Sequence, residues 1–170
     1  GDSWFAFPMW LTTNLVSEIK NTFQDKIVQL DLSQSGDEAR EMFCGDQFAK
    51  LYRVLAQEQL KFDCILFSGG GNDIVSTNLP VLLRTYKDGD TWEDCLNMPR
   101  FSRRLQEIEN CYRDLADLRD DYQPEAWIFT HAYDYAIPSG KGIKILGIEA
   151  AGGWIKEVMD ARKIPGKLQQ

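Results

Sequence analysis

The sequence is 170 residues long and 44% hydrophobic, which is enough to bury one ordinary core but not two. We therefore expect a single domain spanning residues 1–170. A formal charge of −7 at pH 7 would repel phosphate backbones, which argues against nucleic acid as a partner. The apolar runs fall far short of the roughly 20 residues that cross a bilayer, so no transmembrane segment is predicted.

The four cysteines, Cys44, Cys64, Cys95 and Cys111, are widely separated and form neither a C-x-x-C pair nor a zinc-like spacing. Cys64 lies in a strand-like run and Cys111 in an apolar helical stripe, so both are predicted to be reduced, buried thiols. This favours a reducing compartment and a soluble, cytoplasmic chain. No spacing implies a metal or an organic cofactor, and the oligomeric state is left open.

The first third of the chain is predicted to hold helices on either side of a strand. Apolar residues recur at helical spacing over residues 11–23, with polar residues on the opposite side. The run over residues 26–32 is short, rich in branched residues and closed by a turn that includes Gly36, which is typical of a strand. Acidic residues then open a helical region that reaches Leu55 and that Gly45 could interrupt.

The middle of the chain begins with a buried-type strand from Cys64 to Phe67, which stops at Ser68 and three glycines. Residues 75–98 lack lasting periodicity and predict a loop-rich insertion or lid. From Pro99 onward, apolar residues at steps of three or four predict the clearest helix of the chain, with one packed and one solvated face.

The last part is predicted to contain a strand over residues 126–130, a turn-rich stretch around residues 138–142 and a short helix near residues 154–162. Strands that alternate with helices indicate an α/β fold. Its mainly parallel sheet would be covered by helices on both faces, as in a three-layer α/β/α sandwich.

In such a sheet, ligands bind beyond the carboxyl ends of the strands. The turns after Leu32, Phe67 and Thr130 are therefore expected to converge on one crevice. A ligand site is predicted at that crevice.

Three short segments would meet there: Gly-Asp-Ser-Trp at residues 1–4, Ser-Gln-Ser-Gly at residues 33–36 and Gly-Gly-Gly-Asn-Asp at residues 69–73. Together, and in this order, they resemble the motifs of the GDSL or SGNH hydrolase family, over nearly the whole chain. The resemblance implies a flavodoxin-like α/β fold. It also implies hydrolysis of a small-molecule ester through an acyl-serine intermediate.

The resemblance implies a role for individual residues. Ser3 is the nucleophile, and the backbone N–H groups of Ser3 and Gly36 bind the oxyanion together with the side-chain amide of Asn72. Acyl transfer needs such donors, because negative charge develops on the former carbonyl oxygen. Asp2 and Asp73 are implied to be structural residues that tie down their turns.

Plainer interpretations of these residues exist. Ser3 could cap a helix. Residues 69–73 could form a flexible glycine turn or a phosphate cradle, although they lack the Gly-Lys-Ser/Thr ending of a phosphate loop. Trp4 adjoins the nucleophile and is expected to line an apolar acyl pocket, with packing in the core as the alternative.

The sequence lacks the motif from which the family takes the base that activates the serine. The family takes a histidine and its carboxylate from a C-terminal Asp-x-x-His motif, but the only histidine here is His131, three positions after Ile128. The strand expected before the nucleophile is also missing, so residues 1–170 are expected to be an internal piece of a longer protein. His131 is expected to line the substrate pocket, and replacement of the missing base is the less favoured alternative.

Two functions of different classes remain open. The first is an esterase or lipase-like acylhydrolase. The second is a non-catalytic module of the same fold that holds a small ligand or carbohydrate in the crevice without turning it over. An N-terminal nucleophile hydrolase is disfavoured, because residue 1 is glycine.

Overall fold

The computed structural model describes residues 1–6, 13–75, 77–132, 138–140, 143–145, 148–151 and 154–169. The α-helices among them are α1 (Ser3–Ala6), α2 (Leu15–Phe23), α3 (Ala39–Met42), α4 (Gly45–Leu55), α5 (Gly71–Val75), α6 (Leu79–Leu82), α7 (Met98–Tyr122) and α8 (Trp154–Ala161). The strands are β1 (Cys64–Phe67), β2 (Trp127–Thr130), β3 (Ile143–Ile145) and β4 (Ile148–Ala151). Two compact units divide the chain: Gly1–Asn72 with Glu107–His131, and Asp73–Gln106 with Ala132–Gln170.

The sheet of the first unit is a parallel pair of β1 and β2. Its register runs from Cys64 opposite Trp127 to Phe67 opposite Thr130. The Trp127 N–H also donates to the Asp63 carbonyl at 3.0 Å, which extends the ladder by one residue. Parallel strands require a crossover connection, and the chain between β1 and β2 includes α7. Helices combined with a parallel strand pair are compatible with the predicted α/β class.

The hydrophobic core of the first unit draws on α3, β1 and α7. Its buried members are Ala39, Met42, Phe67, Cys111 and Leu115. Along α7, the buried residues Cys111, Leu115 and Leu118 lie four and three residues apart, which confirms a packed face over this part of the helix, whereas Leu105 is 46% exposed.

Other predicted helices also lie close to their expected places. The helix α2 begins behind Asn14, whose side chain accepts the Ser17 N–H at 2.8 Å; residues 11 and 12 of the predicted helix lie outside the described residues. The interruption between α3 and α4 falls directly before Gly45, as expected. None of the described helices is both long and apolar enough to cross a membrane.

The prediction of a strand over residues 26–32 is wrong. Gln24–Lys26 forms a 3-10 helix, and the residues that follow pair with no strand among the described residues. Val28 is fully exposed and Leu30 is 54% exposed. Branched residues favour a strand only where a neighbouring strand supplies hydrogen bonds and a packing surface. The apolar pattern alone could not reveal that no neighbouring strand lies among the described residues.

The strand β1 exists as predicted, but its burial does not match the expectation. Phe67 is buried, whereas Cys64 is exposed and Leu66 is 39% exposed. The predicted buried thiol at Cys64 is therefore wrong, while that of Cys111 is confirmed. A strand is buried on both faces only when both are covered, and the core of the first unit packs against residues on one face of β1.

In the second unit, the region predicted to be loop-rich contains the short helix α6 and an isolated bridge between Leu83 and Leu96. Its core consists of Leu79, Leu83, Cys95 and Ile164. Sequence analysis missed the antiparallel pair of β3 and β4, because strands this short beside glycines have the local signature of turns.

Gln123 provides a test of how the first unit is held together. Its buried side-chain amide donates to the carbonyls of Leu55 at 2.8 Å and Leu60 at 3.1 Å, and its oxygen accepts the Phe62 N–H at 3.2 Å. We expect Gln123→Ala to lower the free energy of unfolding by about 3 kcal/mol, because it leaves buried backbone groups without partners.

Urea denaturation measures this loss. The control is Gln59→Ala, which removes an exposed glutamine and should change stability by no more than about 0.5 kcal/mol. Equal effects of the two substitutions would contradict a stabilising role for the buried amide.

Candidate active site

Asp2 fixes the start of the first helix. Its backbone carbonyl accepts the N–H groups of Phe5 at 3.1 Å and Ala6 at 3.0 Å, and its carboxylate accepts the Trp4 N–H at 3.1 Å. Asp2 is 2% exposed. The capping residue is therefore Asp2 rather than Ser3, which is the first residue of α1.

Hydrogen bonds join the three sequence motifs. The Gln34 N–H donates to the Gly1 carbonyl at 2.9 Å, which ties the second motif to the first. The Asp2 N–H donates to the Ser68 carbonyl at 3.1 Å, directly before the third motif. The expected convergence of the turns after residues 32 and 67 is thus observed.

The third motif also reaches the second. The Asn72 side-chain amide donates to the Asp37 carbonyl at 3.0 Å, one residue beyond Gly36. Gly36 has a φ of +88°, a left-handed conformation that favours glycine. Ser3, Gly36 and Asn72 therefore belong to segments that contact one another in a ring.

The donors in this ring differ in how they are used. Within the described residues, the backbone N–H groups of Ser3 and Gly36 donate to no protein acceptor, and the Ser3 hydroxyl has no hydrogen-bond partner. The Asn72 amide nitrogen carries two hydrogens, and the bond to Asp37 uses one of them. Donors on each of the three joined segments are thus available to a bound group.

The site also contains a chain of side-chain hydrogen bonds that the sequence did not suggest. The Ser68 hydroxyl donates to the Asp2 carboxylate at 2.6 Å, and the same oxygen lies 2.7 Å from His131 Nε2. A hydroxyl has one hydrogen to donate, and here it goes to Asp2. The proton of the second bond must therefore come from His131 Nε2.

This direction restricts what His131 can do. Because Nε2 donates to Ser68, it cannot accept a proton from a nucleophile at the same time, and Nδ1 is the proton-accepting nitrogen of the neutral ring. The His131 imidazole also packs against the Trp4 indole in a T-shaped arrangement, with ring centroids 5.4 Å apart. Trp4 is 53% exposed, so the alternative that it packs in the core is wrong. His131 and Trp4 together form an aromatic surface beside Ser3.

Of the remaining predicted residues, Asp73 is fully buried and lies in α5, within the second unit. Sequence reasoning missed Ser68. The signal available was a polar residue at the end of an apolar strand, directly before three glycines, but only the paired strands place it beside His131.

Comparison of the chain with protein-family models, with curated proteins and with solved structures finds no match. Among the residues that the structure describes, no cluster of histidine, cysteine and acidic side chains could hold a metal ion. A functional assignment therefore depends on the ring of motifs around Ser3.

The contribution of the Ser68 hydrogen bonds to stability can be tested by substitution. We expect Ser68→Ala to lower the free energy of unfolding by about 2 to 3 kcal/mol, because it removes two hydrogen bonds from a fully buried position. The control Ser35→Ala removes an exposed hydroxyl and should have little effect.

Urea denaturation measures both variants, and NMR of the single histidine reports which ring nitrogen carries the proton. A neutral His131 ring protonated at Nδ1 rather than Nε2 would contradict the direction of the hydrogen bonds.

Asp37 should make the stability of this site depend on pH. Burial raises the pKa of its carboxyl, against the opposing effect of the Gln47 amide. The stabilising contribution of such an acid is complete below its unfolded pKa, about 3.9, and is lost as the pH rises through its folded pKa.

We therefore expect the free energy of unfolding of Asp37→Asn to increase, relative to that of the unchanged protein, as the pH rises from about 3 to about 7. Denaturation at several pH values measures this difference. Gln47→Ala, with Asp37 kept, should steepen the loss of stability, because the opposing amide is gone. A difference that shrinks with rising pH would contradict the raised pKa.

Proposed function

We propose that the chain carries the nucleophile and the oxyanion-binding groups of a serine esterase, with Ser3 as the nucleophile. The observation that carries the proposal is the ring of hydrogen bonds that joins the motifs of Ser3, Gly36 and Asn72. Three segments separated by about 30 residues or more each along the chain have no local reason to meet, whereas ester hydrolysis requires their groups together. We also propose that the β1–β2 pair belongs to a three-layer α/β/α sandwich.

The oxyanion would be bound by the backbone N–H groups of Ser3 and Gly36 and by the second hydrogen of the Asn72 amide. These donors suit an acyl transition state, because they are neutral dipoles held in place before the charge develops. The left-handed conformation at Gly36 leaves its N–H unobstructed by a side chain. Asp2 would act only by positioning Ser3 at the start of α1.

We assign His131 to the wall of the substrate pocket rather than to the base. Its Nε2 is hydrogen-bonded to the Ser68 hydroxyl oxygen at 2.7 Å, and its ring packs on Trp4. An aromatic wall of this kind fits an apolar acyl group. A serine hydroxyl still needs a proton acceptor, and imidazole added to the solution can supply one.

The proposal predicts serine labelling that depends on Ser3 and on added base. We expect a fluorophosphonate probe to modify Ser3, and hydrolysis of a short-chain nitrophenyl ester to rise with millimolar imidazole beyond the rate of imidazole alone. Ser3→Ala should abolish both, because it removes the nucleophile. Intact-mass spectrometry locates the label, and absorbance follows the ester.

Ser35→Ala is the matched control, since Ser35 is exposed and lies in the neighbouring motif. Labelling and hydrolysis that persist in Ser3→Ala would remove Ser3 from the mechanism. If the folded protein binds the ester without Ser3-dependent turnover, the alternative of a non-catalytic binding module holds. The hydrogen bond between Ser68 and His131 Nε2 favours that alternative over an enzyme that relies on His131 Nε2 as the base.

A further inference from the structure

A groove in the second unit concentrates positive charge on an otherwise acidic chain. The groove has a volume of about 540 Å³, and its charged lining residues are Arg84, Lys87, Arg100, Arg162, Asp90 and Asp94. Four cations against two carboxylates leave an excess of two positive charges, whereas the whole sequence carries −7. A local excess of this sign attracts anions.

Two of the guanidinium groups are held by backbone carbonyls of α6. Arg162 donates to the carbonyl of Pro80, and Arg100 donates to the carbonyl of Val81, the next residue along α6. Each guanidinium keeps further N–H groups in a planar fork that matches phosphate oxygens.

The acidic residues of the groove accept hydrogen bonds from groups three residues earlier in the chain. Asp90 accepts the Lys87 N–H at 2.8 Å, and Asp94 accepts the N–H and the hydroxyl of Thr91. The Thr91 N–H and hydroxyl hold the pKa of the Asp94 carboxyl below its ordinary value. Within the described residues, no carboxylate lies within ion-pair distance of the four cations.

We propose that this groove binds a doubly charged tetrahedral oxyanion, the phosphate monoester group of a small organic ligand. A phosphate monoester carries close to two negative charges at neutral pH, which equals the excess charge of the lining. The groove exceeds the size of the phosphate alone, and Pro80, Val81 and Leu83 line it as well. The proposal goes beyond ester hydrolysis, since no groove residue belongs to the candidate active site.

The test is an NMR titration of the full chain with inorganic phosphate at constant ionic strength. We expect saturable shifts at the groove residues and tighter binding of phosphate than of acetate. Arg84→Gln with Lys87→Gln should weaken binding at least about tenfold, because it removes two positive charges. Both side chains are exposed, so their loss should not disturb folding.

The matched control is Lys50→Gln with Arg53→Gln, which removes the same two charges from exposed positions on α4. It should leave phosphate binding unchanged. Equal weakening by both double variants, or shifts that never saturate, would overturn the proposal and leave only non-specific attraction of anions. Tighter binding of acetate would overturn it in favour of a carboxylate. Equal binding of inorganic sulfate would support a site for tetrahedral dianions and overturn its assignment to a phosphate ester.

Discussion

The candidate site depends on the double link between Asp2 and Ser68. The Asp2 N–H donates to the Ser68 carbonyl at 3.1 Å, and the Ser68 hydroxyl returns a bond of 2.6 Å to the Asp2 carboxylate. Both residues are almost completely buried, where an unpaired polar group is costly. This pair attaches the first motif to the end of β1, and the position of Ser3 follows because it is the next residue.

The strand register supplies the other half of the arrangement. Since Phe67 pairs with Thr130, the residues that follow them, Ser68 and His131, leave the sheet side by side. Their 2.7 Å contact is therefore a consequence of parallel pairing. A shift of one residue would also exchange the two faces of the strand, so the packing of Phe67 in the core indirectly holds His131 beside Ser68.

Sequence reasoning succeeded where the cause of a structure is local. The apolar stripe that includes Leu115 and Leu118 predicted a packed face of α7, although Leu105 of the same stripe is 46% exposed. The carboxyl-end rule for parallel strands predicted that the turn after Phe67 would meet the first motif. It failed where the cause is a partner distant in the sequence. The run over residues 26–32 lacks a described neighbouring strand, and the Ser68 bond to His131 exists only through the strand register.

The order of groups in the Asp2, Ser68 and His131 chain distinguishes it from a catalytic triad. In a triad the carboxylate orients the histidine, and the histidine accepts the serine proton. Here the Asp2 carboxylate accepts the hydrogen bond of the Ser68 hydroxyl, and His131 donates to the Ser68 oxygen. Ser68 is also fully buried, so no substrate carbonyl can approach its oxygen. This chain of hydrogen bonds therefore supports the Asp2 turn, and Ser3, which is partly exposed, carries the hydroxyl that we propose for catalysis.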